Sequence, residues 1–175
     1  VIKKNLLYNY TMQKEIEFNN NKLSNLLRRN KLTISAAESC TGGLFSSYLT
    51  DISGASEYFL GSLICYSNQS KIKCLGVSEK IIEEHGAVSR QTAEQMARGL
   101  KNVFASDIAI SVTGIAGPGG GSLKKPVGLI YICVLTDKDK CNSYKFNFKG
   151  SRLEIKKKTV SEMISLTIKH LSAYE

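Results

Sequence analysis

Two apolar, β-rich runs, Leu32–Ala37 and Asp107–Val112, each lead into a glycine-rich turn, Ser39–Gly43 and Thr113–Gly121. Buried strands that end in such turns belong to open α/β sheets, where ligands bind beyond the carboxyl ends of the strands. Tyr58–Tyr66, Val127–Thr136 and Cys141–Phe148 read as further strands, the last two joined by a turn at Asp137–Lys140. Helical spacing of apolar residues predicts helices over Glu15–Asn30, Leu44–Thr50 and Asn68–Leu75, then from a Ser78 cap to Gly86. Two longer helices follow: Ser89–Phe104, with Ser89 as N-cap, and a terminal one capped by Ser151, striped by Leu153, Val160, Met163, Ile164, Ile168 and Leu171. The first dozen residues have no clear period and read as frayed or as a helical extension. This order predicts an α/β fold, a three-layer α/β/α sandwich around one mixed, mostly parallel sheet. The expected organisation is an N-terminal extension with a first helix over 1–31 and a single domain over 32–175.

Composition narrows the function classes. With 42% hydrophobic and 22% charged residues and only 2 Pro among 175, the chain has an ordinary globular make-up. Its longest apolar run, Leu129–Leu135, is far below the ~18–20 residues of a membrane helix, and Leu6-Leu7 stands among Asn, Lys and Tyr rather than in a secretory core. The expectation is a soluble, cytoplasmic protein without a membrane partner. The net charge of +9 sits at the ends: +5 over residues 1–31 and +4 over 145–175, with the middle balanced. A nucleic-acid surface interleaves basic and aromatic residues. Here the densest cluster, Lys156-Lys157-Lys158, reads as a solvated helical face or a weak steering patch for an anion. Nucleic acid is therefore disfavoured as a partner. Five cysteines form no C-x-x-C pair and the two histidines are scattered, which argues for a reduced chain without metal or cofactor. Cys65 and Cys133 lie in strand-like runs and read as small buried hydrophobes.

The first turn carries the strongest chemical candidate. A serine between a buried strand and a Gly-Gly turn that opens a helix stands exposed at the sheet edge. Ser39 is thus either a nucleophile beside an oxyanion pocket or the N-cap of a phosphate-binding turn. Neither His85 nor His170 suits a triad. Lys71, which follows the second strand, reaches the rim of Ser39 if that strand lies beside the first; otherwise it is a solvated surface residue. Burial would lower its pKa enough to accept a hydroxyl proton. Cys40 competes as nucleophile but lacks a His or Asn partner, so it reads as a buried structural thiol. The Thr113–Gly121 run matches neither phosphate-loop nor dinucleotide spacing, leaving a close approach to a ligand or a mobile turn. Arg152 is either a clamp for phosphate or carboxylate or a surface residue. The S-x-x-K at Ser122–Lys125 is read as chance.

The segment Ala37-Glu38-Ser39-Cys40-Thr41-Gly42-Gly43 resembles the signature of the CinA C-terminal domain family. The resemblance continues through Tyr66-Ser67-Asn68 to Lys71, Gly76-Val77, His85–Ser89, Gly114–Pro118, Lys125–Gly128 and Gly150-Ser151-Arg152, covering roughly 32–172. It implies a nicotinamide-nucleotide amidase, a serine amidohydrolase that converts nicotinamide mononucleotide to nicotinate mononucleotide and ammonia. Carried over by motif, Ser39 is the nucleophile, Lys71 its base and Tyr66 a polar helper. The N–H groups at Thr41, Gly42 and Gly43 are the expected oxyanion pocket, with Cys40, Thr113, Gly114 and Arg152 as ligand contacts. The partner is a small nucleotide; because small α/β enzymes often pair, a homodimer is a further expectation. Longer members of the family carry an additional N-terminal domain, for which 175 residues leave no room. The rival reading is a non-catalytic nucleotide-binding accessory protein of the same family.

Overall fold

The computed structural model describes residues 2–136 and 140–171, with side chains from residue 10 onward. In chain order the elements are α1 (Ile2–Arg29), β1 (Ile34–Glu38), α2 (Leu44–Thr50), a short 3-10 turn (Ala55–Glu57), β2 (Phe59–Ile64), α3 (Asn68–Leu75), α4 (Glu79–His85), α5 (Arg90–Phe104), β3 (Ile108–Gly114), β4 (Leu129–Leu135), β5 (Cys141–Asn147) and α6 (Arg152–Leu171). The five strands form one sheet in the order β2-β1-β3-β4-β5. Strands β2, β1 and β3 are mutually parallel, β4 runs antiparallel to β3, and β5 pairs antiparallel with β4. The sheet is therefore mixed, with β4 alone reversed.

Strand alternation divides the core in two. On one face Ile34 and Ala36 of β1, Ile108, Ile110 and Val112 of β3, and Ile130, Ile132 and Val134 of β4 pack with α1, α2 and α6. The intervening residues Ala37, Ala109, Cys133 and Leu135 pack with Leu75 of α3 and with Ala93, Met96, Ala97 and Leu100 of α5. Helices thus cover both faces, as expected. Cys65 and Cys133 are buried. Thr33 and Asp107 lock the starts of the two central strands: one Asp107 carboxylate oxygen accepts from both the Thr33 N–H and hydroxyl at 2.6 Å.

The chain leaves β1 toward β2 with α2 on one face, then jumps back past β1 to β3 with α5 on the other. Right-handed crossovers require this change of face. It opens a crevice at the carboxyl ends of β1 and β3, where the two glycine turns emerge.

The helices Leu44–Thr50 and Asn68–Leu75 have the predicted bounds, while the strands are trimmed by one or two residues at several ends. The N-terminal segment takes the helical-extension reading: it is helical from Ile2, and Met12, Ile16, Leu23 and Leu27 of α1 are buried in the core shared with α6. Two details differ. Leu153, placed in the buried stripe of α6, is 58% exposed, and Ile155 takes its place at 1%. Both lie in the first turn of α6, so at this end the helix presents Ile155 and not Leu153 to the core. The Ser78 side chain makes no cap hydrogen bond. Residues 137–139 of the predicted β4–β5 turn lie outside the described residues.

Candidate active site

Ser39 is the first residue beyond β1, and Gly42 and Gly43 turn the chain from strand to helix with φ of 62° and 91°. Side chains rarely adopt such left-handed angles, so glycine is required at this turn. Glu38, wholly buried, folds its carboxylate onto the start of α2. It accepts from the N–H of Gly43 at 2.9 Å, of Phe45 at 3.3 Å and of Ser46 at 2.9 Å, and from the Ser46 hydroxyl at 2.6 Å. A negative charge at a helix start is stabilised by those donors and by the helix dipole. The sequence reading gave Glu38 no role, because a carboxylate reaching eight residues ahead has no local signature.

This staple corrects the expected oxyanion pocket. The Gly43 N–H is spent on Glu38, and the Gly42 N–H donates to the Ser39 carbonyl at 3.2 Å. Two of the three backbone donors assigned to that pocket are therefore already engaged within the protein. Thr41 is buried as well, and its hydroxyl has no hydrogen-bond partner.

Lys71 is the fourth residue of α3, closing its first turn, and the helix start is capped by Ser67 accepting the Ser70 N–H at 3.0 Å. Since β2 pairs with β1, this helix begins at the same rim as Ser39. The Lys71 side chain is 1% exposed, and its Nζ lies 3.1 Å from Ser39 Oγ, 2.8 Å from the Cys65 carbonyl oxygen and 3.2 Å from that of Tyr66. Burial holds its pKa below the usual lysine value. The amine donates to Ser39 Oγ as well as to both carbonyls. Once it loses a proton, its two remaining hydrogens can stay on the carbonyls while its lone pair turns to the serine hydroxyl. Cys40 sits next to this pair, but burial pushes its thiol up to about 12, so it stays protonated and unreactive at neutral pH.

A cleft of about 240 Å³ opens over these groups, lined among others by Ser39, Cys40, Tyr66, Lys71, Thr113, Gly114 and Arg152. Tyr66 uses its carbonyl to hold Lys71, while its phenol accepts from Arg152 Nη2 at 2.9 Å. Arg152 Nη1 donates to the Gly117 carbonyl at 2.7 Å, so this side chain bridges the two lips of the cleft. Thr113 donates its hydroxyl to the Ala87 carbonyl at 2.8 Å, tying the end of β3 to the loop before α5. Gly114 leaves space only for backbone; a Cβ there would meet Ile130 Cδ1 at 2.3 Å.

Ala87, Val88 and the loop from Ile115 to Gly120 complete the wall. Ala87 and Val88 lie in a motif that the sequence reading left without a role, whereas the loop belongs to the run read as a close approach to a ligand or a mobile turn. Lys125 secures this wall by donating to the His85 and Val88 carbonyls at 2.5 and 2.8 Å, which occupies the amine of the S-x-x-K match. No carboxylate lines the cleft among the described residues. Lys156 adds positive charge beside the turn: a Cβ on Gly42 would lie 3.7 Å from its Nζ. No group of three His, Cys, Asp or Glu side chains among the described residues is placed to hold a metal. Nor is any described helix long and apolar enough to cross a membrane.

Residues 17–171 match the family model of the CinA C-terminal domain. The chain belongs to this family. A protein of Caldicellulosiruptor bescii named as competence-damage inducible is 53% identical over 149 residues, 85% of this chain and 36% of its own length. A CinA-like protein of Endomicrobium trichonymphae is 52% identical over 148 residues, 85% of this chain and 34% of its own. The chain thus spans about a third of the length of these curated relatives. Among solved structures, the competence/damage inducible protein CihA from Agrobacterium tumefaciens superposes with a TM-score of 0.87 at 37% identity, covering 90% of this chain and 96% of its own. The likeness to CinA-domain proteins extends across the Ser39 turn, the Lys71 helix and the glycine loop after β3.

Proposed function

We propose that this CinA domain is an amidohydrolase that converts nicotinamide mononucleotide to nicotinate mononucleotide and ammonia through a Ser39/Lys71 dyad. The observation that carries the proposal is the 3.1 Å contact between Ser39 Oγ and a buried Lys71 Nζ held by two carbonyls. With its pKa lowered by burial, the amine can take the hydroxyl proton as Ser39 attacks the amide carbonyl. The oxyanion that forms needs N–H donors, each worth about 3 kcal/mol in such sites. With Gly42 and Gly43 committed elsewhere, the N–H groups of Cys40, the residue after the nucleophile, and of Thr41 are assigned to that task. Collapse of the intermediate returns the proton from Lys71 to the nitrogen, and ammonia leaves. Water then cleaves the nicotinoyl ester on Ser39, with Lys71 again accepting a proton and Ser39 regaining its own.

The substrate assignment rests on family and on charge. A cleft with Arg152 at its mouth, Lys156 beside it and no lining carboxylate suits a phosphate-bearing ligand. Ammonia release from nicotinamide mononucleotide, followed with the native chain and with Ser39→Ala, tests the reading. The variant should bind the nucleotide calorimetrically yet release no ammonia. Release at the native rate by Ser39→Ala would end the proposal.

A further inference from the structure

Behind the wall formed by Val88 lies a second cavity, of about 440 Å³, that the reaction just described does not use. It is lined by His85, Arg90, Gln91, Lys125, Tyr131 and Lys145 among others, and Val88 is the residue it shares with the cleft over Ser39. Its cations come from three separate parts of the fold. Arg90 opens α5, Lys125 stands in the loop before β4, and Lys145 lies on β5 opposite Tyr131 of β4. No carboxylate lines this cavity among the described residues. Glu84, beside His85, is 3.8 Å from Lys80 Nζ and 3.9 Å from His85 Nε2, and Glu94, one turn beyond Arg90, accepts the Ser143 hydroxyl at 2.7 Å.

We propose that this cavity binds a small molecule bearing a chain of two or three phosphates. The donors that such a chain needs stand open. Among the described residues, neither Arg90 nor Lys145 has a hydrogen-bond or ion-pair partner. Lys125 commits two of the three N–H bonds of its ammonium to the His85 and Val88 carbonyls, which leaves the third. Arg90 and Gln91 are also the first two residues of α5, whose backbone N–H groups have no acceptor within the helix. Like charges gathered from three elements repel one another, and an anion seated among them reverses the sign of each interaction. A guanidinium grips two phosphate oxygens at once, while the two ammonium groups serve as point charges for the rest of the chain. The volume lies within the roughly 300–1,000 Å³ of small-ligand sites. The site is additional to the amidase centre and does not rest on that reading.

The test is a calorimetric titration of the full chain with inorganic tripolyphosphate at about 0.15 M salt, where weak surface attraction is screened. It is run on Arg152→Ala, which lacks the guanidinium at the mouth of the cleft, so that binding which persists belongs elsewhere. Saturable binding is expected there, and adding Arg90→Gln with Lys145→Gln should weaken it at least about tenfold. Both side chains are exposed and unpaired among the described residues, so circular dichroism should be unchanged. If the combined chain does not fold, Lys145→Glu in the Arg152→Ala background is read in the same way. ATP in place of tripolyphosphate distinguishes the source: tighter binding makes the ligand a nucleotide, and equal or weaker binding makes it the bare phosphate chain, each in support of the site. Absence of saturable binding in Arg152→Ala, or an affinity unmoved by the added substitutions, overturns it. Ammonia release does not enter the test, so the amidase reading can fail without touching this result.

Discussion

Glu38 Oε2 accepts the Gly43 N–H at 2.9 Å while Oε1 accepts the Ser46 N–H at the same distance, so the last residue of β1 also organises the first turn of α2. Four hydrogen bonds converge on this buried carboxylate. Between its two ends lies Ser39, whose position the staple therefore fixes. Glu38→Gln replaces one acceptor oxygen with an NH2 facing donors. Charge-assisted bonds are worth about 1.5–3 kcal/mol each, and part of that stabilisation is lost. A fall of about 2–3 kcal/mol in urea unfolding is expected, with a lower kcat. An unchanged midpoint would show that the staple is dispensable.

Lys71 predicts a pH dependence with a definite sign. Its folded pKa lies below its unfolded value near 10.5, so the unfolded chain binds the extra proton in the window between them. Stability therefore rises with pH across that window and is fully gained only above the unfolded value. As pH falls through the folded pKa, that contribution is lost. Activity should rise over the acid side of the same titration, since only the neutral amine accepts a proton. Lys71→Arg cannot shed its charge near neutrality and should lose at least about 10³-fold in turnover at every pH. A normal pH profile in that variant would remove Lys71 from the base role.

How the dyad became legible explains what stayed hidden. Ser39 and Lys71 are 32 residues apart, yet β1 and β2 were both readable and parallel neighbours bring the ends of both strands to one rim. The turn at Gly42–Gly43 was also readable, but the direction of its N–H groups was not. That direction depends on Glu38, whose carboxylate could equally have faced solvent. Leu153 shows the same limit: it shares its helical phase with the buried Val160 and Ile164, yet in the first turn of α6 it is Ile155 that the core takes. The cleft walls formed by Ala87, Val88 and the loop after β3 depend on contacts such as Thr113 to Ala87, which no local pattern encodes.

Two buried threonines should respond in opposite ways to the same substitution. Thr41 Oγ1 has no hydrogen-bond partner, so Thr41→Val removes an unsatisfied hydroxyl at nearly constant shape. The variant should be as stable as the native chain or more so, by up to about 1–2 kcal/mol. Thr113→Val removes the 2.8 Å bond to the Ala87 carbonyl and should destabilise by about 1–2 kcal/mol. Paired chemical denaturation curves read both; equal losses would contradict the assignment of Thr41 as unpartnered.

Arg152 joins the lips of the cleft through Gly117 and Tyr66, two contacts that a planar guanidinium can span at once. A phosphate entering the cleft can replace these neutral acceptors with an anionic one. Arg152→Lys keeps the charge but loses the fork, and Arg152→Ala loses both. In the amidase reading KM for the nucleotide should rise about tenfold in the first variant and about a hundredfold in the second, while kcat changes little. Hydrolysis of an amide lacking the phosphate should be nearly indifferent to both changes. Should Arg152→Ala lower kcat with KM unchanged, the guanidinium would act on the reacting atoms instead of on the ligand's charge.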